Sequence, residues 1–102
     1  MGYLSVEAQS FDASLDVRTD AGGSVRGSFR VGSPYEIEGR VRGSIIDDLF
    51  RITVTYASAG RDGCESRIEG ILAVSEAGRV VDGPVTIWDC GDPLSGRMTF
   101  RR

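Results

Sequence analysis

The strongest constraint on this chain is an alternation of apolar and polar residues with a period of two. Phe11, Ala13, Leu15 and Val17 take the odd positions, with Asp12, Ser14 and Asp16 between them. Val25, Gly27, Phe29 and Val31 then alternate with Ser24, Arg26, Ser28 and Arg30. Tyr35, Ile37, Gly39, Val41, Gly43 and Ile45 alternate with Glu36, Glu38, Arg40, Arg42 and Ser44. Phe50, Ile52, Val54 and Tyr56 do so with Arg51, Thr53 and Thr55. Side chains of a strand point to opposite faces in turn, so this pattern marks strands with one buried face. No stretch carries helical spacing, and no long helix is expected.

Turn residues separate these runs: Thr19 to Gly23, Gly32-Ser33-Pro34, Asp47-Asp48, Ala59 to Gly63, Glu76-Ala77-Gly78, and Gly91-Asp92-Pro93-Leu94. Strands joined by such short loops are antiparallel neighbours. With Arg18 and Ser24 ending the first loop, Leu15 faces Gly27 and Ala13 faces Phe29. With Val31 and Tyr35 ending the second, Phe29 faces Ile37 and Arg30 faces Glu36. The third loop pairs Ile45 with Phe50, Val41 with Val54 and Gly39 with Tyr56. The fourth, from Ser58 to Cys64, pairs Val54 with Ile68, Ile52 with Gly70 and Phe50 with Leu72. Each register keeps apolar against apolar, and a slip of one residue would turn a whole face inside out.

A sheet with one apolar face must cover it, and no helix is at hand to do so. The expected fold is therefore all-β: one domain over residues 1–102, a seven- to eight-stranded antiparallel up-and-down meander barrel. Leu4, Val6 and Ala8 share a parity, and residues 3–8 are the candidate eighth strand. Without that strand an edge stays open, which fits a homodimer or an interaction or inhibitor module. Glycines on the apolar face (Gly27, Gly39, Gly43, Gly70) suit curved barrel strands and are expected to leave room inside.

Composition narrows the chemistry. All 12 cations are Arg, and Lys, His and Asn are absent. The joint loss of Lys and Asn fits a GC-rich coding sequence. The missing His removes the commonest general base and metal ligand. The missing Lys removes Schiff-base and P-loop chemistry. A net charge of −3 argues against a nucleic-acid partner. The apolar runs are too short for a membrane span. No charged n-region or apolar h-region opens the chain, so no signal peptide is expected. No metal, cofactor or catalytic residue is indicated.

Cys64 and Cys90 are the disulfide candidates. A three-residue loop ending at Gly78 sets them directly opposite one another. A two-residue Ala77-Gly78 loop instead matches Val74 with Val81 and Ile68 with Ile87, but puts the cysteines on opposite faces. A bulge near Gly83-Pro84 satisfies both. A bridge would add roughly 3 kcal/mol on the chain-entropy model and point to export or a periplasmic home; free thiols point to the cytoplasm.

Among the acids, Asp20, Asp47, Asp48, Asp62 and Asp92 are explained by turns. Asp82 and Asp89 are the two that an inward-facing reading allows. A carboxyl turned into an apolar barrel would have a raised pKa and could serve a small isomerase or cyclase. Trp88, placed outside, is expected against Arg97. Arg26, Arg30, Arg40, Arg42 and Arg51, with Glu36 and Glu38, are expected to form a salt-bridged exterior.

The segment from Gly63 to Gly70 and the ending from Asp89 to Arg102, with the repeated strand-Gly-strand spacing, resemble small bacterial calycin-type barrels, the lipocalin- and avidin-like meanders. The Gly-x-Trp that usually opens a calycin is missing here. The resemblance implies a small, mostly apolar ligand held in the barrel. Interior aromatics supply the candidate lining: Phe29, Tyr35, Phe50, Tyr56 and Phe100.

Overall fold

A computed structural model of the chain describes residues 2–6, 9–32, 36–57, 65–89 and 93–101, without the side chains of Ala57, Glu65 and Asp89. Eight strands follow in chain order: β1 (Gly2–Val6), β2 (Gln9–Thr19), β3 (Ser24–Val31), β4 (Ile37–Ile46), β5 (Leu49–Ala57), β6 (Glu65–Ser75), β7 (Val80–Asp89) and β8 (Leu94–Arg101). Each pairs antiparallel with the next, and β1 also pairs antiparallel with β8, so the sheet closes into an up-and-down barrel. Of the candidate segment 3–8, residues 3–6 lie in the eighth strand, β1; residues 7 and 8 lie outside the described residues. Closure through β1 limits the open edge at this seam to Ser14–Thr19 of β2, which have no partner on the β1 side among the described residues. No helix among the described residues is long and apolar enough to cross a membrane.

The alternation holds through every strand. Val25, Phe29, Val41, Phe50, Ile52, Val54, Ile68, Leu72, Met98 and Phe100 are buried in one core. The third and fourth hairpins have the expected registers, with Val41 opposite Val54 and Ile52 opposite Gly70. The third is fixed by its turn: Asp47 and Asp48 take positive φ of 50° and 62°. Those values are the left-handed pair of a two-residue hairpin turn.

Two earlier registers are corrected by two residues. Leu15 faces Phe29, not Gly27, because the first loop runs between Asp20 and Ser24. The Asp20 carboxylate accepts from the backbone N–H of Gly22 (2.8 Å) and of Ser24 (3.0 Å). Gly23, at φ 85°, completes the turn. In the second hairpin Val31 faces Ile37 and Phe29 faces Gly39, with Glu36 N–H donating to the Gly32 carbonyl. Arg30 consequently faces Glu38 rather than Glu36, and pairs with it. A shift of two residues preserves parity, so the buried face was read correctly while the pairs were not.

The sixth and seventh strands keep Ile68 with Ile87 and Val74 with Val81. That is the register in which the cysteines fall on opposite faces; Cys64 and Cys90 themselves lie outside the described residues, as do Asp62 and Asp92. Between β7 and β8, Ile87 pairs with Leu94 and Pro84 with Arg97. Trp88 is therefore not beside Arg97. Its cross-strand neighbour is Arg67, whose guanidinium stacks 4.5 Å from the ring centroid.

The interior glycines do not leave room. A Cβ added at Gly27 would strike the Asp16 carbonyl, and one at Gly43 the Arg51 carbonyl. These are places where the neighbouring strand's backbone comes close as the sheet coils, and only hydrogen fits.

Candidate functional site

The strand order puts the tight turns 20–23, 47–48 and 76–79 at one end of the barrel, here the turn end. The strand ends Val6 and Gln9, Val31 and Ile37, Ala57 and Glu65, and Asp89 and Leu94 all lie at the other, the connection end. The interior differs between them. Towards the turn end, Phe50 and Phe100 are buried together with Leu72 and Met98. Phe100 meets Phe29 edge-on, with centroids 6.3 Å apart and planes at 84°. Such a pair adds about 0.5–1.5 kcal/mol beyond area burial.

At the connection end the interior is hollow. A cavity of about 280 Å³ is lined from all eight strands. Leu4, Val6 and Phe11 come from β1 and β2, Phe29, Val31 and Ile37 from β3 and β4, and Ile68, Ile87 and Leu94 from β6, β7 and β8. Tyr56 of β5 and Gln9 of β2 bring the side-chain polar groups. Gln9 and Leu94 are exposed at the rim, whereas Val31 and Ile68 are buried deeper. The lining is mainly Val, Ile and Leu, with Phe11, Phe29 and Tyr56 among them. No charged side chain lines the cavity among the described residues.

The candidates sort accordingly. Phe29 and Tyr56 line the cavity. Phe50 and Phe100 do not: they are buried towards the turn end. Tyr35 lies outside the described residues. The sequence reading missed the aliphatic lining, because a Val or Ile on a strand's inner parity looks the same whether it packs or lines a void. The signal that could have found it is positional: interior aliphatics at the strand ends beside the longer connections.

Asp82 is not an inward acid. Its carboxylate sits on the outer face and accepts two hydrogen bonds from Arg97, from Nε at 3.0 Å and Nη2 at 2.7 Å, and one from Thr99 Oγ1 at 2.6 Å. The hydrogen bonds from Arg97 and Thr99 hold its pKa below the ordinary carboxylate range, against a smaller opposing effect of burial. A general acid needs the opposite shift. The backbone of Asp89 pairs with Ser66, and its carboxyl is outside the described part. No cluster of three or more metal-ligating side chains occurs among the described residues. No family model, curated protein or solved structure matches this chain.

Proposed function

We propose that this barrel binds one small, neutral, mostly apolar molecule in the cavity at its connection end and releases it unchanged. The observation that carries the reading is the hollow itself: about 280 Å³ with an apolar lining drawn from every strand. That volume is near the lower end of typical ligand pockets, about 300–1,000 Å³. Apolar surface moved from water into it gains roughly 25 cal/mol per Å². Gln9 at the rim offers hydrogen bonds for one polar group of the ligand, which fixes orientation. A charged ligand would lose its hydration without meeting a counter-ion, a cost of several kcal/mol. The calycin resemblance supports the same reading, since eight-stranded barrels of that kind have an interior wide enough to hold one small ligand.

Native mass spectrometry of the purified protein, with a denatured control, tests this. Added mass that disappears on denaturation is expected, or, for empty protein, one-to-one uptake of a medium-chain alcohol and poor uptake of the acid of the same chain length. Failure to take up any neutral apolar compound at saturating concentration would overturn the proposal. The denatured spectrum also reads Cys64 and Cys90: a bridge shows as the loss of two hydrogens.

A further inference from the structure

The exterior divides into two kinds of surface. Arg30, Arg67, Arg97 and Arg101 each form an ion pair with an acid. Arg18, Arg26 and Arg42 do not, among the described residues, although they stand side by side on β2, β3 and β4. Like charges directly opposite on neighbouring strands destabilise a sheet. Next to this row lies an exposed apolar patch. Ile46, Leu49 and Ile71 are 66%, 49% and 48% exposed. Ile46 pairs with Leu49, Leu49 with the exposed Ala73, and Ile71 with Arg51, so the patch is continuous. Beyond it, at the turn, come the two acids Asp47 and Asp48.

We propose that this outer face of β4, β5 and β6 is a self-association surface, and that its partner is a second copy of the chain. The order along the face is acid, apolar, basic. A two-fold axis lying in the interface, across the strands between the levels of Leu49 and Arg51, brings the Asp47-Asp48 turn of each copy over Arg42 of the other. It also lays Ile46, Leu49 and Ala73 of each copy over Ser44, Arg51 and Ile71 of the other, so that the aliphatic stem of Arg51 covers Leu49. An isologous contact must be self-complementary in this way. Other occupants fit less well. An anionic membrane would meet two carboxylates at the leading turn. Nucleic acid would find no aromatic beside Arg18, Arg26 and Arg42 among the described residues and nothing to cover the leucine and isoleucines. Closure through β1 pairs Gln9–Ala13 of β2, while Ser14–Thr19 have no partner on that side among the described residues; the apolar patch lies on the face of β4 to β6, away from that edge.

Light scattering across a dilution series tests the surface. The wild type should show a dimer that dissociates on dilution and weakens with salt. Leu49→Glu and, separately, Ile46→Glu should be monomeric throughout, with unchanged circular dichroism and unfolding midpoint, because both side chains are already exposed. Arg42→Glu or Asp48→Arg alone should weaken the dimer about tenfold or more, and the two together should restore it. A wild type that stays monomeric at millimolar concentration overturns the proposal. So does a dimer that survives Leu49→Glu, a double variant that does not recover, or a monomer that binds vesicles rich in anionic lipid through this face.

Discussion

The two ends of the barrel share strands, twist and hydrogen-bond ladders, yet one is filled and the other hollow. At the turn end, short reversals bring the strands together over Phe50, Phe100, Leu72 and Met98, all buried. At the connection end, mainly aliphatic side chains from the same strands line a cavity. The comparison teaches that a barrel's interior is decided layer by layer. Inward parity says which residues face the axis; side-chain reach and the neighbouring backbone decide whether they fill it.

The comparison predicts unequal costs for similar changes. The largest is expected for Phe50→Ala in the packed half, about 3–5 kcal/mol by chemical denaturation, because the void left there cannot collapse. A loss below about 1 kcal/mol would mean that the turn end is not close-packed. Next comes a matched pair of enlargements. Val41→Phe, in the filled region, should cost about 1–3 kcal/mol through overpacking. Val31→Phe should cost less, because the added ring has the cavity to enter. Equal losses from the two variants would remove the difference between the ends.

Smaller effects probe the turn end and the outer face. Asp20→Ala deletes two hydrogen bonds to the first hairpin's backbone and should cost about 1 kcal/mol, seen as a lower unfolding midpoint. Asp82→Asn should cost about 1 kcal/mol or less, since the ion pair with Arg97 is substantially exposed. The sign of its pH dependence follows from a folded-state pKa held below the unfolded one. The contribution is whole above the unfolded carboxylate value, about 3.9, and is lost as pH falls through the lower folded value. Wild type and Asp82→Asn should therefore differ most at neutral pH and converge under acid. A gap that widened towards low pH would contradict the lowered pKa.

The sequence makes the barrel legible through parity, which is robust because a two-residue slip does not change it. Asp47-Asp48 also set a register, since a two-residue turn leaves one way to pair the flanking strands. The first hairpin differs from its sequence reading because the Asp20 carboxylate binds the backbone of Gly22 and Ser24, so the loop begins at Asp20 and not at Arg18. The Gly32–Glu36 hairpin likewise closes one residue later on its second strand and one on its first. Gly27 and Gly43 were legible as sites of curvature but not of space, because the backbone that fills them belongs to a strand whose register was still open or whose approach depends on the coil of the sheet. Phe29 and Tyr56 line the cavity, while Phe50 and Phe100, which share their inner parity and aromatic character, do not. Ring size is no guide to which end a residue occupies; its distance along the strand from the connecting loop is.

The most direct test of the central contrast is a titration with a neutral, apolar fluorescent probe such as N-phenylnaphthylamine, in the wild type and in Val31→Phe. The account predicts saturable one-to-one binding by the wild type, and binding weakened at least about tenfold in a Val31→Phe protein that unfolds at nearly the same denaturant concentration. Absence of saturable binding, or equal binding by both proteins, would show that the connection end does not hold a ligand.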